Sequence, residues 1–370
     1  MPDFTSSLYL GLAHASSDLP DWSGLTLGKP AALADPPGAE RVECELAALT
    51  ECESALLAPS TLHLFVDLFA LLARPGMGIF LDRGTYPIAR WGARQARLAS
   101  VPVRTFRSCD ADDLERKLQA RPAVKPIVAA DGFSPADGQA TPIANYARLA
   151  AERGGLVVID DTQALGVLGS SPGGTAPYGL GGGGSLPHAM LTAPNVVVVS
   201  SLAKAFGAPL AMLGGSAALV ERFRRRSLTR MHCSPPSIAA IAAAARAIEI
   251  NRHRGDAIRR RLAARVAQFE RGIRQLGLRS HGGLFPVRPL RLPPGGKAET
   301  LHPELARRGV RAVLAADRGG RANLTFILTA AHSAEEIDEA LDHLANALTV
   351  RRPRASAVNP LVKLSLPAVR

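Results

Sequence analysis

The sequence predicts an α/β protein: a mostly parallel sheet covered by helices on both sides, followed by a smaller C-terminal α+β domain. Three observations predict it. From about residue 41, segments of helical periodicity alternate with short apolar runs bounded by polar residues, Gly or Pro. Those runs are apolar at successive positions rather than at every second one, the pattern of strands buried on both faces. After about residue 280 the regular alternation gives way to a mixture of strands and helices that reads as a separate, smaller unit.

Element by element, 40–51 (ERVECELAALTE) reads as a helix and 55–59 (ALLAP) as a strand. Helix 60–73, strand 78–82 (GIFLD), helix 86–98, strand 101–106 and helix 110–119 follow. Strand 125–131 (KPIVAAD), helix 142–154 and strand 156–161 (LVVIDD) complete the first run. A Gly/Pro-rich stretch from 162 to 195 interrupts the rhythm before strands 196–201 (VVVVSS) and 209–215 (PLAMLGG). Long irregular segments inside α/β domains are usually functional or mobile, and this one is expected to be a flexible loop. The Ala/Arg-rich region 237–276 reads as a long helix or a broken pair, and strands at 284–292, 310–314 and 323–328 then mix with helices at 299–309 and 334–348. The domain reading is an N-terminal arm over 1–40, a large domain over 41–236, a linking helical region over 237–276, a small domain over 277–350 and a basic tail over 351–370.

Composition excludes several functions. The chain has 370 residues, 47% of them hydrophobic and 21% charged, which describes a globular protein with a sizeable interior. Its formal charge of +12 raises nucleic acid as a partner. The basic runs at 222–230, 259–265 and 351–354 are scattered, however, and aromatics are only 5% of the chain. Base-stacking platforms are therefore missing, and solvated helix faces account for the arginines better than nucleic-acid binding does. Cys44, Cys52, Cys109 and Cys233 form no CxxC pair and no metal spacing, so no metal is expected and reduced thiols are. The first residues lack an apolar signal segment, and the apolar stretch 205–220 is too short and too interrupted to cross a bilayer. A soluble, cytoplasmic protein is expected.

GLGGGG at 179–184 satisfies G-x-G-x-x-G, but no strand feeds it and Ser185-Leu186-Pro187 is not expected to open a helix, so a dinucleotide site is not supported. No nucleophile elbow, P-loop or H-E-x-x-H motif occurs. Attention falls on LVVIDD and VVVVSSLAK, whose strands end at the carboxyl edge of a parallel sheet, the ligand-binding side of open α/β folds. Asp160 and Lys204 would emerge there together. On spacing alone a salt bridge explains them. The neighbours permit more: a lysine that forms a Schiff base with pyridoxal phosphate needs an acid for the pyridine nitrogen, and Asp160 can serve. Ser201 and the helix start at Ser60-Thr61 offer phosphate donors, and Tyr86 offers a ring to stack. His63, His188 and His332 read as packing, loop and cap residues, and Trp91 as a core or dimer contact.

The chain resembles pyridoxal-phosphate enzymes of the aspartate aminotransferase fold, particularly the α-oxoamine synthase group. The resemblance runs from about 41 to 348 and rests on ADGFSPADGQATPI, VVIDDTQALGVLG, SSLAKAFG and ILTAAH, in that order. It implies a seven-stranded sheet and a pyridoxal phosphate cofactor. It also implies a homodimer, with the active site at the subunit interface. By residue, it implies that Lys204 binds the cofactor covalently, that Asp160 faces the pyridine nitrogen, and that Ser201 and the Thr61-Leu62 backbone hold the phosphate. Tyr86 falls where the synthases have a ring-stacking His, and Ser234 where a hydroxyl reaches the neighbouring subunit's phosphate.

Departures bear on the reaction. The family's His on the cofactor's phenolic oxygen is Gln163, which cannot change charge near neutral pH. Pro135 replaces a family Ser, with Ser134 adjacent. Asn323 and Thr325 stand where the family has an Arg for the substrate carboxylate, and Arg321, on the same strand face, is the candidate substitute. The sequence thus leaves two enzymatic outcomes open: condensation of an amine or amino acid with an acyl thioester, favoured by resemblance, and transamination, favoured by Tyr86 and Gln163. An inactive scaffold or basic binding protein is the reading of a different class.

Overall fold

The structure, a computed structural model, describes residues 1–135, 137–292, 296–316 and 320–349. The basic tail expected over 351–370 lies outside the described residues. In chain order the first run is α1 (Ala39–Leu49), β1 (Ser54–Ala58), α2 (Thr61–Leu72), β2 (Met77–Asp82), α3 (Pro87–Gln95), β3 (Val103–Phe106), α4 (Ala111–Gln119) and β4 (Lys125–Asp131). The short pair β5 (Phe133–Ser134) and β6 (Gln139–Ala140), then α5 (Ile143–Ala151), β7 (Leu156–Asp160) and α6 (Ser185–His188) follow. Next come β8 (Val196–Ser201), β9 (Ala211–Gly215), α7 (Ala217–Arg226), α8 (Leu228–His232) and α9 (Ile238–Gln275). The chain then runs through β10 (Arg279–Ser280), β11 (Val287–Arg291), α10 (Ala298–Arg307), β12 (Val313–Ala316), β13 (Ala322–Ile327) and α11 (Ala334–Thr349).

The large sheet has seven strands in the order β1-β9-β8-β7-β4-β2-β3. All neighbours are parallel except at β9, which runs antiparallel to both β1 and β8. The double-sided burial read from the sequence has its cause in the pleat. Ile127 and Ala129, Val158, and Val197 and Val199 enter a core built with α2 and α3. Their neighbours Val128 and Ala130, Val157 and Ile159, and Val196 and Val198 enter another beneath α4 and α5. A four-stranded antiparallel sheet, β10-β11-β13-β12, forms the smaller C-terminal domain with α10 and α11. Between the two sheets α9 is one continuous helix of 38 residues, about 57 Å long at 1.5 Å per residue.

Three local readings change. The glycine-rich stretch is a packed segment rather than a flexible loop. The buried guanidinium of Arg259 on α9 donates to Gly166 O at 3.0 Å and to Asn251 Oδ1 at 2.7 Å, and pairs with Asp256. Asp256 in turn accepts from Gly181 N at 2.9 Å, and Asn251 donates to Gly181 O at 2.8 Å. At Gly182, with φ +71°, an added β-carbon would lie 2.3 Å from Arg259 Nη1, so close approach and left-handed backbone both require glycine there. GLGGGG does open a helix, the four-residue α6, though no strand feeds it. Trp91 is partly exposed, so of its two readings the core one falls.

The first residues are also not a free arm. Phe4 N donates to Arg311 O and Ile327 N to Phe4 O, each at 2.9 Å, and Ala330 N donates to Tyr9 O at 2.8 Å. Phe4 stacks on His332 with ring centroids 4.4 Å apart. Phe4, Tyr9 and Leu10 are accordingly core residues.

Candidate functional site

Where β4, β7 and β8 end, at the carboxyl edge of the large sheet, a cavity of about 260 Å³ opens. Thr61, Tyr86, Asp160, Gln163, Ser201 and Lys204 line it, with Asp131, Thr162 and Ser7 among its other walls. A second, larger cavity of about 1330 Å³ lies against the small sheet and shares Ser7, Tyr86, Gln163 and Lys204 with the first. Arg321, Asn323, Thr325 and Ile327, alternate residues at β13, face the larger one, as period-2 alternation requires. Leu62 has an exposed side chain and Ser234 is exposed between α8 and α9. Neither lines these cavities.

Strand register explains the charge arrangement. Asp131 and Asp160 are direct partners at the ends of β4 and β7, so their side chains leave the same face of the sheet. Lys204 follows β8, the next strand over. Burial depresses the Lys204 ammonium below its usual range, opposed by the carboxylates of Asp160 and Asp131. Burial raises Asp160, while hydrogen bonds from Thr162, whose N–H reaches Oδ1 at 3.1 Å, and the Lys204 charge pull it back down. Asp131 is pushed up much further, first by burial and then by the neighbouring Asp160 charge, with the Tyr86 N–H at 2.9 Å opposing. Burial disfavours the charge on both carboxyls, more so at Asp131, so the surroundings support an anion better at Asp160.

The remaining polar groups point to a phosphate-bearing ligand. Ser201 Oγ accepts from Ala203 N at 3.2 Å, which leaves its own proton free to donate. Thr61 is the first residue of the twelve-residue α2, whose opening N–H groups lack intrahelical partners. Ser60, its N-cap, is engaged with His63 Nδ1 at 2.7 Å. A desolvated amine, a carboxyl beside it and a hydroxyl with a helix start form a set that fits pyridoxal phosphate. Ser134 does not stand in for the serine replaced by Pro135, because it is buried and its hydroxyl is bound to Asp137 at 2.7 Å.

Sequence reasoning missed Asp131, Thr162, Ser7 and Tyr9. Asp131 had a signal, since KPIVAAD ends a buried strand in Asp just as LVVID does. Ser7 and Tyr9 had none: they precede the first helix and reach the site only by crossing the small sheet.

Asp161, next to the site, supports the fold rather than facing the cavity. It accepts from Ser185 N at 3.0 Å and from the Ser185 hydroxyl, and β-carbons at Gly132 or Gly184 would strike its oxygens. Burial pushes its carboxyl from 3.8 up to about 6. The native state thus keeps a proton that the unfolded chain has lost. Its contribution is whole below 3.8 and is lost as pH rises to about 6, about 3 kcal/mol in all. Asp161→Asn should abolish that loss. The urea-derived stability difference between wild type and variant should change by about 1 kcal/mol from pH 5 to pH 8, in the variant's favour. A difference independent of pH would sink this assignment.

Residues 27–344 match the family described as aminotransferase class I and II. An 8-amino-7-oxononanoate synthase of Halorhodospira halophila is 33% identical over 330 residues, covering 87% of this chain and 77% of the relative. One from Methylococcus capsulatus is 32% identical, covering 83% and 77%. Among solved structures, the Sphingomonas wittichii serine palmitoyltransferase superposes with TM-score 0.82 at 19% identity, covering 93% of this chain and 86% of that one. An 8-amino-7-oxononanoate synthase from Francisella tularensis gives 0.70 at 19%, covering 94% and 97%. The chain belongs to the class I and II aminotransferase family and, within it, to the α-oxoamine synthase group of pyridoxal-phosphate-dependent transferases.

Proposed function

We propose that this enzyme joins the acyl group of a thioester to the α-carbon of an amine or amino acid, releasing free thiol. The observation that carries condensation over transamination is the outer cavity of about 1330 Å³, which shares Lys204 with the inner one. Its wall combines Val287, Leu290, Leu292 and Val313 with Arg291 and Lys297, room for a long apolar chain and an anionic end. Exchange of an amino group between small substrates needs no such space. The relatives are named for making a compound with amino and oxo groups on adjacent carbons, the pattern such a condensation leaves.

Pyridoxal phosphate, when bound, supplies the electron sink for charge left at the α-carbon. Lys204 would hold it covalently, and its desolvated amine would accept the α-carbon's proton. Asp160 would pair with the ring nitrogen, and Tyr86 would pack against the ring. Ser201 and the Thr61-Leu62 backbone would take the phosphate. Gln163 would hydrogen-bond the phenolic oxygen, and Arg321 with Asn323 would receive the substrate's polar end. In a homodimer, Ser234 would reach the phosphate of the other copy. Among the described residues no helix is long and apolar enough to cross a membrane, and a cytoplasmic location is part of the proposal.

The test is to incubate the purified enzyme with amines and acyl thioesters and follow free thiol. Thiol release dependent on both substrates is expected. Formation of pyridoxamine phosphate without thiol would replace condensation by transamination.

A further inference from the structure

We infer that Tyr9 is a positioning residue for the active site, fixing the Gln163 amide so that its N–H groups face the cofactor cavity. The inference rests on the reading that this cavity holds pyridoxal phosphate. Tyr9 is 154 residues away in sequence, yet its hydroxyl donates to Gln163 Oε1 at 2.5 Å. The side chain is 1% exposed, and its ring meets Phe285 edge-on at 5.7 Å. Ala330 N donates to Tyr9 O, and Tyr9 N donates to Ser7 O, each at 2.8 Å, so its backbone is fastened at both polar groups. Gln163 itself lines both cavities.

The chemistry follows from counting donors and acceptors. A primary amide has one oxygen that accepts and one nitrogen that donates twice. Burial holds the Tyr9 phenol well above its usual range, so the hydroxyl stays protonated and available as a donor. With Oε1 occupied, Gln163 turns only donors toward the ligand. That matters because an amide free to rotate could present oxygen to an oxyanion and repel it. A histidine protonated on both ring nitrogens has no such ambiguity, since either nitrogen donates, which explains why glutamine needs a second residue to orient it. The N-terminal segment thereby becomes part of the catalytic architecture rather than an appendage of the small sheet.

The test compares wild type, Tyr9→Phe, Gln163→His and the double variant, each reconstituted with pyridoxal phosphate. The readouts are cofactor dissociation constant and the position of the near-visible absorbance band. Tyr9→Phe keeps the ring and its packing, and should weaken cofactor binding about three- to tenfold, the equilibrium equivalent of one hydrogen bond, with a shift of the band. In the Gln163→His background the same substitution should change neither readout. Gln163→Met, which removes the amide but keeps the volume, should reproduce the Tyr9→Phe band shift even if Tyr9→Phe folds poorly. Equal effects of Tyr9→Phe in both backgrounds, no effect in either, or an unshifted band in Gln163→Met would overturn the proposal. Failure of wild type to take up pyridoxal phosphate would overturn the functional reading instead.

Discussion

Lys204→Ala is expected to purify without the near-visible absorbance that wild type shows with pyridoxal phosphate, and to lose thiol-releasing activity. The loss should be at least about 10²–10⁴-fold, the usual worth of one positioned acid–base group, with the missing covalent link adding to it. The argument rests on where the amine sits. Lys204 is half-buried where the two cavities meet, and its ammonium is depressed by desolvation although Asp160 and Asp131 lie close. An amine of that kind spends more time unprotonated than a surface lysine, which is what a nucleophile and a proton acceptor require. A lysine serving only as a salt bridge would be held charged by its carboxylates, and its removal would leave two buried acids without a cation. The two cases separate in one experiment. In the first, Lys204→Ala retains a folded apoprotein with near wild-type melting and no band. In the second, melting drops and any cofactor band persists. Persistence of the band in a well-folded Lys204→Ala protein would remove the enzymatic reading.

Much of this arrangement was legible because strands bury apolar residues on both faces and end abruptly in polar ones. LVVIDD and VVVVSS declared their own boundaries, and with them the edge at which Asp160, Ser201 and Lys204 gather. The alternation of Arg321, just before β13, with Asn323 and Thr325 on it was equally readable, since a period of two requires no tertiary knowledge. Other features depend on partners far away in the chain. Tyr9 shows no periodicity and becomes a site residue only because hydrogen bonds to Arg311, Ile327 and Ala330 lay the first residues along the small sheet. The glycine-rich stretch read as flexible because its ties, Asn251, Asp256 and Arg259, look in sequence like ordinary polar positions of a long helix. Glycine composition reports backbone freedom, and freedom is also what a tightly stapled, left-handed turn requires.

Asp160→Asn and Asp131→Asn, two identical changes at paired positions, should have very different consequences. Both residues end neighbouring strands in register, and both are raised by burial. Like charges that close cannot both be maintained, so one proton resides on the pair and the hydrogen bonds decide where. Lys204 favours the charge of both; Asp160 adds the Thr162 hydrogen bonds, whereas Asp131 has the Tyr86 N–H against burial and the charges of Asp160 and Asp82. Asp160 is thus the anion that can face a protonated ring nitrogen. Asparagine there keeps the shape and removes the charge, leaving the nitrogen's positive form without its buried partner. The cost should be about 3–5 kcal/mol, or about 10²- to 10⁴-fold in turnover. At Asp131 asparagine replaces the carboxyl whose charge its surroundings disfavour more, and the change should stay within about tenfold. Steady-state turnover of the two variants, with cofactor occupancy checked by absorbance, decides it. Similar losses in both, or a larger loss in Asp131→Asn, would place the charge on the other strand and exchange the two roles.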